Sequence, residues 1–133
     1  MTTTAPNEGT DRFERGMGLR REVLGDAHVS RSVTGAEPSD LQRLIAEIGW
    51  GTIWARPGLP RQTRSMLTVV MLMTLNRGAE LKVHLRGALN NGCTQEEIRE
   101  AILHGIPYCG FPAAIDAMRV FDTLLAEENN DEC

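Results

Sequence analysis

The chain has 133 residues, of which 41% are hydrophobic and 24% are charged. Both fractions are typical of a globular protein, and they exclude a disordered or fibrous chain. The formal net charge of −4 gives no reason to expect nucleic acid as a partner, because phosphate binding depends on an excess of Lys and Arg. A chain of this length is long enough for one hydrophobic core, so we predict a single domain over residues 1–133.

No segment of the sequence predicts a membrane span or a metal site. The longest apolar run, residues 66–75, reaches about half of the ~20 residues that a membrane helix needs. The N-terminal residues contain no apolar signal region, so we expect a cytoplasmic protein. Cys93, Cys109 and Cys133 have neither the spacing of metal ligands nor that of a disulfide framework, so we expect no bound metal.

Helical patterns account for nearly the whole chain, and no alternating pattern is long enough to predict a strand. We predict an all-α bundle of about six helices, with flexible tails at residues 1–10 and 129–133. The predicted helices cover residues 11–24, 40–49, 63–75, 79–90, a segment that follows Thr94, and 112–127. Ser39 is a predicted N-cap, and Thr94 with Glu97 has the pattern of a capping box.

Two segments between or within these helices carry further predictions. Residues 49–65, which hold both tryptophans and three arginines among Gly and Pro, are predicted to form a loop or a broken helix. The helix over residues 63–75 is apolar nearly all round and must be covered on all sides. A chain of this size provides too little surface of its own, so we expect a homo-oligomer.

The stretch ELKVHLRGALNNG, residues 80–92, combines ionisable side chains with an apolar stripe. Glu80 and His84 are one helical turn apart, so the carboxylate can reach the imidazole. Such a carboxylate orients the ring and favours its protonated form, as a general acid requires. Pairs of this kind are also common on solvated helix faces. His84, however, shares a row with Leu81 and Ala88, which predicts a position facing the interior or an interface.

Three arginines are candidates for binding an anion. Arg61 and Arg64 lie near the first turn of the predicted helix over residues 63–75, where backbone N–H groups favour negative charge. Arg56 is close to them in sequence, although surface arginines after a proline turn are also common. Cys109 is either a small buried residue or part of a pocket. His28 follows a helix end and is either a cap or a pocket residue.

Four segments of the chain together resemble the carboxymuconolactone decarboxylase family. They are LGDAHVSRS at 24–32, WGTIWARPGLPRQTRSMLT at 50–68, ELKVHLRGALNNGCTQEEIREAI at 80–102 and YCGFPAA at 108–114. The likeness spans residues 11–127 and implies an alkylhydroperoxidase-D-like helical fold and a hexamer. Peroxide-reducing relatives of that fold carry a CxxC motif before the histidine. Arg77 and Glu80 stand at those positions here, so peroxide reduction is not expected.

The resemblance implies a reaction and a set of site residues. The reaction is the decarboxylation of γ-carboxymuconolactone, a small anionic lactone of protocatechuate breakdown, to β-ketoadipate enol-lactone without metal or organic cofactor. His84, held by Glu80, is the expected proton donor or oxyanion partner. The candidate substrate contacts are Arg61, Arg64, Arg56, Trp50, Trp54, Arg86, Cys109 and His28.

One departure from the family pattern keeps other functions open. Asp116 stands where a small or amide residue is expected, and it would repel an anionic substrate if it faced the pocket. The alternatives are a family member that acts on another lactone or a polyketide-like molecule, and a helical oligomer in which His84 is purely structural.

Overall fold

The computed structural model describes residues 8–33, 35 and 37–131. These residues form helices and connecting turns with no strand among them, which confirms the predicted all-α class. The chain separates into two compact units, Met1–Leu59 and Pro60–Cys133. The expectation that residues 1–133 form a single domain stays a prediction.

The first unit contains three α-helices and one π-helix. They are α1 (Glu8–Leu24), α2 (Asp26–Ser32), α3 (Asp40–Leu44) and the π-helix (Ile45–Trp54) that continues α3 without a break. Gly25, with φ 93°, separates α1 from α2, a conformation that glycine adopts without strain. Ser39 caps α3 as predicted, its hydroxyl accepting from the Gln42 backbone N–H at 3.2 Å. The short helix α2 was not predicted.

Residues 49–65 form a broken helix, one of the two predicted alternatives, because the π-helix runs to Trp54 and a new helix begins at Arg61 after a turn. The π-helix packs closely against α1. A Cβ at Gly16 would collide with the carbonyl oxygen of Ala46, and a Cβ at Gly51 would collide with that of Arg12. The two backbones therefore touch at these glycines. An i→i+5 turn has no signature in a 3.6-residue periodicity.

Arg20 joins α1 to α3 from inside the first unit. Its side chain is only 6% exposed, and its Nη1 donates to Gln42 Oε1 at 2.8 Å. Burial, followed by the neighbouring charge of Arg21, lowers the pKa of this guanidinium. The contact holds α3 in the position from which the π-helix starts.

The second unit is built from four α-helices, as predicted. They are α4 (Arg61–Thr74), α5 (Gly78–Asn90), α6 (Gln95–Cys109) and α7 (Phe111–Asp131). Thr94 forms the predicted capping box, with bonds of 3.0 Å from Glu97 N to its hydroxyl and 2.8 Å from its own N to Glu97 Oε1. Helix α1 begins at Glu8 and α7 ends at Asp131, so residues 8–10 and 129–131 of the predicted tails are helical. Residues 1–7, 132 and 133 lie outside the described part.

The core of the second unit lies where the apolar faces of α4, α5, α6 and α7 meet. Its fully buried members are Val69, Leu85, Ala88, Ile98, Ile102, Phe121 and Leu124. Several apolar residues at helical spacing are exposed instead. Leu41, Leu44 and Ile48 in the first unit, and Ile115 on α7, are each at least half exposed. The described residues of this chain do not cover these positions.

The described residues contain neither a candidate membrane span nor a candidate metal cluster. None of their helices is both long and apolar enough to cross a membrane. No group of three or more His, Cys, Asp or Glu side chains among them is arranged to hold a metal ion.

Candidate active site

His84 lies in the middle of α5 between buried and exposed positions. The imidazole is half-buried and its Nδ1 atom is shielded from solvent, while Leu81, Leu85 and Ala88 on the same helix are buried. Glu80, one turn earlier, is exposed. The ring therefore combines a solvent-shielded nitrogen with an accessible edge. That Glu80 orients this ring stays a prediction.

The two arginines of α4 sit in its first turn, as the sequence indicated. Pro60 precedes the helix and Arg61 is its first residue, with no acidic side chain in the first turn. Arg61 is exposed, whereas Arg64 is half-buried with its Nε shielded from solvent. The first-turn backbone N–H groups and the two guanidinium groups all favour an anion at this end of α4.

The turn after α5 holds the first turn of α4 in place. The Asn91 side-chain amide donates to the hydroxyl of Ser65, which is fully buried, at 2.9 Å. Gly92 adopts φ 92°, and the Cys93 thiol contacts the Gln62 carbonyl oxygen at 3.6 Å. The C-terminal end of α5, the helix that carries His84, is therefore held against the N-terminal end of α4, which carries Arg61 and Arg64. This arrangement limits independent movement of α4 and α5.

Arg86, also on α5, is engaged with the last helix. Its Nε lies 3.4 Å from Glu128 Oε1, and the neighbouring Lys82 Nζ lies 2.7 Å from Glu127 Oε2. These half-exposed pairs connect one edge of α5 to the end of α7 and contribute modestly, because solvent screens them. The position gives Arg86 a structural role, and its contact with substrate stays a prediction.

Cys109 is the last residue of α6 and is half-buried. Its thiol donates to the carbonyl oxygen of Gly105 at 3.1 Å, one turn earlier on the same helix. The contact is typical of a cysteine packed at a helix end and does not prepare a nucleophile.

The first unit contributes the two tryptophans on its π-helix. Trp50 is buried and Trp54 is half-buried, and the rings stack with centroids 4.8 Å apart at 26°. Trp50 is only 5% exposed, so the accessible part of the pair belongs mostly to the Trp54 ring. That the two rings contact substrate stays a prediction.

His28, on α2, is half-buried and is held by its own helix. The Ser32 hydroxyl donates to the His28 carbonyl oxygen at 2.9 Å and lies 3.3 Å from His28 Nε2. Both contacts hold the ring against its own helix. The prediction that His28 binds substrate is neither supported nor opposed by them.

Arg56 follows the π-helix, and the structure brings it together with two arginines that sequence reasoning missed. A cleft of about 380 Å³ is lined by Arg56 with Arg12, Arg15 and residues at the end of the π-helix. No spacing pattern in the sequence indicates that Arg12 and Arg15 on α1 lie close to Arg56. Gly16 was an indirect hint, because a glycine inside a helix often marks a close backbone approach.

Asp116, which would repel an anionic substrate from a pocket, is paired. Its Oδ1 lies 3.3 Å from Arg119 Nη1, one turn later on α7. Both side chains line a cleft of about 390 Å³ at the start of α5, together with Arg77. His84, Arg61 and Arg64 do not line this cleft.

Comparisons with known proteins agree with the helical fold and with a decarboxylating site. The model of the carboxymuconolactone decarboxylase family matches residues 39–123. The chain is 42% identical over 118 residues to the 4-carboxymuconolactone decarboxylase of Acinetobacter baylyi, covering 87% of this chain and 88% of that protein. It is 44% identical over 124 residues to a nitrosuccinic acid decarboxylase of Metarhizium robertsii, covering 90% and 87% respectively.

These matches define the class first: the protein is an all-α carboxy-lyase. More particularly, the chain belongs to the carboxymuconolactone decarboxylase family, with its alkylhydroperoxidase-like fold. The family model includes both the π-helix with the two tryptophans and the helices with Arg61, Arg64 and His84.

Proposed function

We propose that this protein decarboxylates γ-carboxymuconolactone to β-ketoadipate enol-lactone in the cytoplasmic breakdown of protocatechuate, without a cofactor. The observation that carries the proposal is the 42% identity to a 4-carboxymuconolactone decarboxylase over nearly the full length of both chains. The half-buried His84 and the arginine-bearing start of α4 support it, because the substrate is anionic and its reaction ends with a proton transfer.

In the proposed mechanism the bond between the ring carbon and the departing carboxylate breaks. Carbon dioxide leaves, and the electron pair moves through the ring double bond to the lactone carbonyl oxygen. A protonated His84 stabilises this oxyanion or donates its proton to the ring carbon next to the carbonyl, and solvent then returns a proton to the imidazole. The double bond of the product then begins at the ring carbon that lost the carboxylate. One preorganised donor to a developing oxyanion typically contributes ~3–4 kcal/mol to catalysis.

The remaining candidate residues bind and orient the substrate in this proposal. Arg61 or Arg64 holds a carboxylate that the product retains, through the bidentate contact that a guanidinium makes with two oxygens. Trp50 and Trp54, two predicted substrate contacts of the first unit, stack on each other there.

Nitrosuccinic acid is a second candidate substrate, favoured by the 44% identity to a protein named for acting on it. Its nitro group lies on the carbon that loses carbon dioxide, so the electron pair moves to the nitro oxygens instead of a lactone carbonyl. A second carboxylate is retained here too. The same donor and the same arginine contact would therefore serve both reactions.

Carbon dioxide release from each substrate tests the proposal, with a chelator and with blanks that lack protein. The wild type is compared with His84→Ala, with Arg64→Gln and with a matched control, Arg119→Gln, on the other cleft. We expect His84→Ala to lower kcat about 10²–10⁴-fold, as for loss of a general acid. Arg64→Gln should chiefly raise KM, and the control should match the wild type.

Each outcome of this assay has a defined meaning. Turnover of nitrosuccinic acid alone would replace the lactone with the second candidate. Turnover of neither compound by the folded wild type would favour the alternatives, another lactone or polyketide-like substrate, or a helical oligomer without catalysis. Full activity of His84→Ala would show that the reaction does not require His84.

We also propose that the protein forms a homo-oligomer, with a hexamer as the form that the family resemblance implies. Leu67 and Met71 on α4 and Leu75, its C-cap residue, are spaced four residues apart and are 45%, 59% and 64% exposed. Residues at this spacing share one helix face. Arg64 precedes Leu67 by three residues and lies on that face, so a second copy covering the stripe would also border this candidate contact.

A further inference from the structure

The cleft between α1 and the end of the π-helix is lined by three arginines, Arg12, Arg15 and Arg56. The other residues that line it are Gly51, Thr52 and Ala55, so no acidic side chain is among the described residues of its wall. The cleft lies wholly within the first unit and contains neither His84 nor the arginines of α4.

Close packing of two backbones creates this cleft. The contact of α1 with the π-helix at Gly16 and Gly51 is too tight for a side chain, and it places Arg12 and Arg15 beside the end of the π-helix. Arg56 joins them because its backbone N–H donates to Ile53 O at 3.1 Å, which turns the chain back at the helix end.

The guanidinium group of Arg15 has a defined orientation. Arg15 Nε donates to the carbonyl oxygen of Gly51 at 3.2 Å, at the carbonyl-rich end of the π-helix, where a cation is favourable. A guanidinium has five N–H donors in a planar fork, so this contact leaves the two terminal nitrogens as donors.

We propose that this arginine cleft is a binding site for a small di- or tricarboxylate. A guanidinium fork matches the two oxygens of a carboxylate, and three such groups around one cleft fit a molecule that carries several carboxylates. The volume of about 380 Å³ is within the range of small-molecule sites. A single phosphate would fill little of this volume.

Isothermal titration calorimetry of the full chain at low salt tests the site, with citrate, succinate, acetate and inorganic phosphate as probes. We expect saturable binding that weakens in the order citrate, succinate, acetate. Arg12→Gln and Arg15→Gln should each weaken citrate binding by about tenfold or more, the usual effect of losing a charge-assisted hydrogen bond. The matched control Arg119→Gln removes one exposed arginine from the second unit and should leave the affinity within about twofold.

Three results would overturn the proposal: no saturable binding of citrate, equal weakening by Arg119→Gln, or phosphate binding as tightly as citrate. Circular dichroism of each variant excludes loss of the fold as the cause. The site is also distinguishable from the proposed reaction. His84→Ala should bind citrate like the wild type while it loses decarboxylation. Citrate binding and the proposed reaction can therefore each be refuted independently of the other.

Discussion

At the scale of single residues, two glycines on α1 show how position decides the effect of one side chain. Gly16 faces the backbone of the π-helix, where a Cβ would meet the Ala46 carbonyl oxygen. Gly18 is exposed, and a Cβ there would meet nothing within 4 Å. The same substitution therefore creates a backbone collision at one site and only adds helix propensity at the other.

We predict that Gly16→Ala destabilises the protein by about 1–3 kcal/mol or more, as overpacking against rigid backbone does. Gly18→Ala, its matched control, should be stabilising by about 0.5–1 kcal/mol, because alanine favours an exposed helix interior over glycine. Urea unfolding followed by circular dichroism measures both. Equal effects of the two substitutions would contradict the close approach of α1 and the π-helix.

A second prediction at this scale concerns the buried thiol of Cys93. Burial, and then the charge of Glu97, raises its pKa. The unfolded thiol then ionises at a lower pH than the folded one, so stability is fully present below the unfolded pKa. It falls as pH rises through that value, about 8.5. Urea unfolding between neutral and alkaline pH should show this loss, and Cys93→Ala should reduce the slope. An unchanged slope would show that the thiol titrates alike in both states.

At the scale of elements, the capping box of α6 is a local device with a measurable contribution. Thr94 and Glu97 satisfy two backbone N–H groups at the start of the helix. Thr94→Ala should cost about 1 kcal/mol, the usual effect of removing a helix N-cap. Thr74→Ala is a suitable control, because that exposed hydroxyl only bonds to Val70 O within its own helix. A smaller loss from Thr94→Ala than from Thr74→Ala in chemical denaturation would contradict the assignment.

At the scale of the whole molecule, the exposed stripe on α4 leads to a prediction about assembly. Met71 lies at its centre and is 59% exposed. Met71→Lys should shift the protein to a smaller assembly, because a buried charge at a subunit contact is costly. Glu100→Lys, at an exposed position of α6, introduces the same side chain and should leave the mass unchanged. Light scattering coupled to size-exclusion chromatography measures both. A monomeric wild type would refute the oligomer.

Most helix positions and the family could be predicted from local signals. Ser39 and Thr94 were recognised as caps because an N-cap depends on contacts within one turn. Likewise, the predicted helices of residues 63–75 and 79–90 differ from α4 and α5 by at most two residues at either end. His84, Arg61 and Arg64 were selected by helical spacing and by resemblance, and the structure places them on these two helices.

The sequence by itself determined the all-α class, the helices of the second unit and membership of a decarboxylase family, because caps and 3.6-residue periodicity are properties of short segments. Only the tertiary structure decided that α3 continues as a π-helix and that Arg12 and Arg15 meet Arg56. It also decided that Arg86 pairs with Glu128. These features arise between residues up to 44 positions apart, where packing of one backbone on another, rather than local preference, sets the geometry.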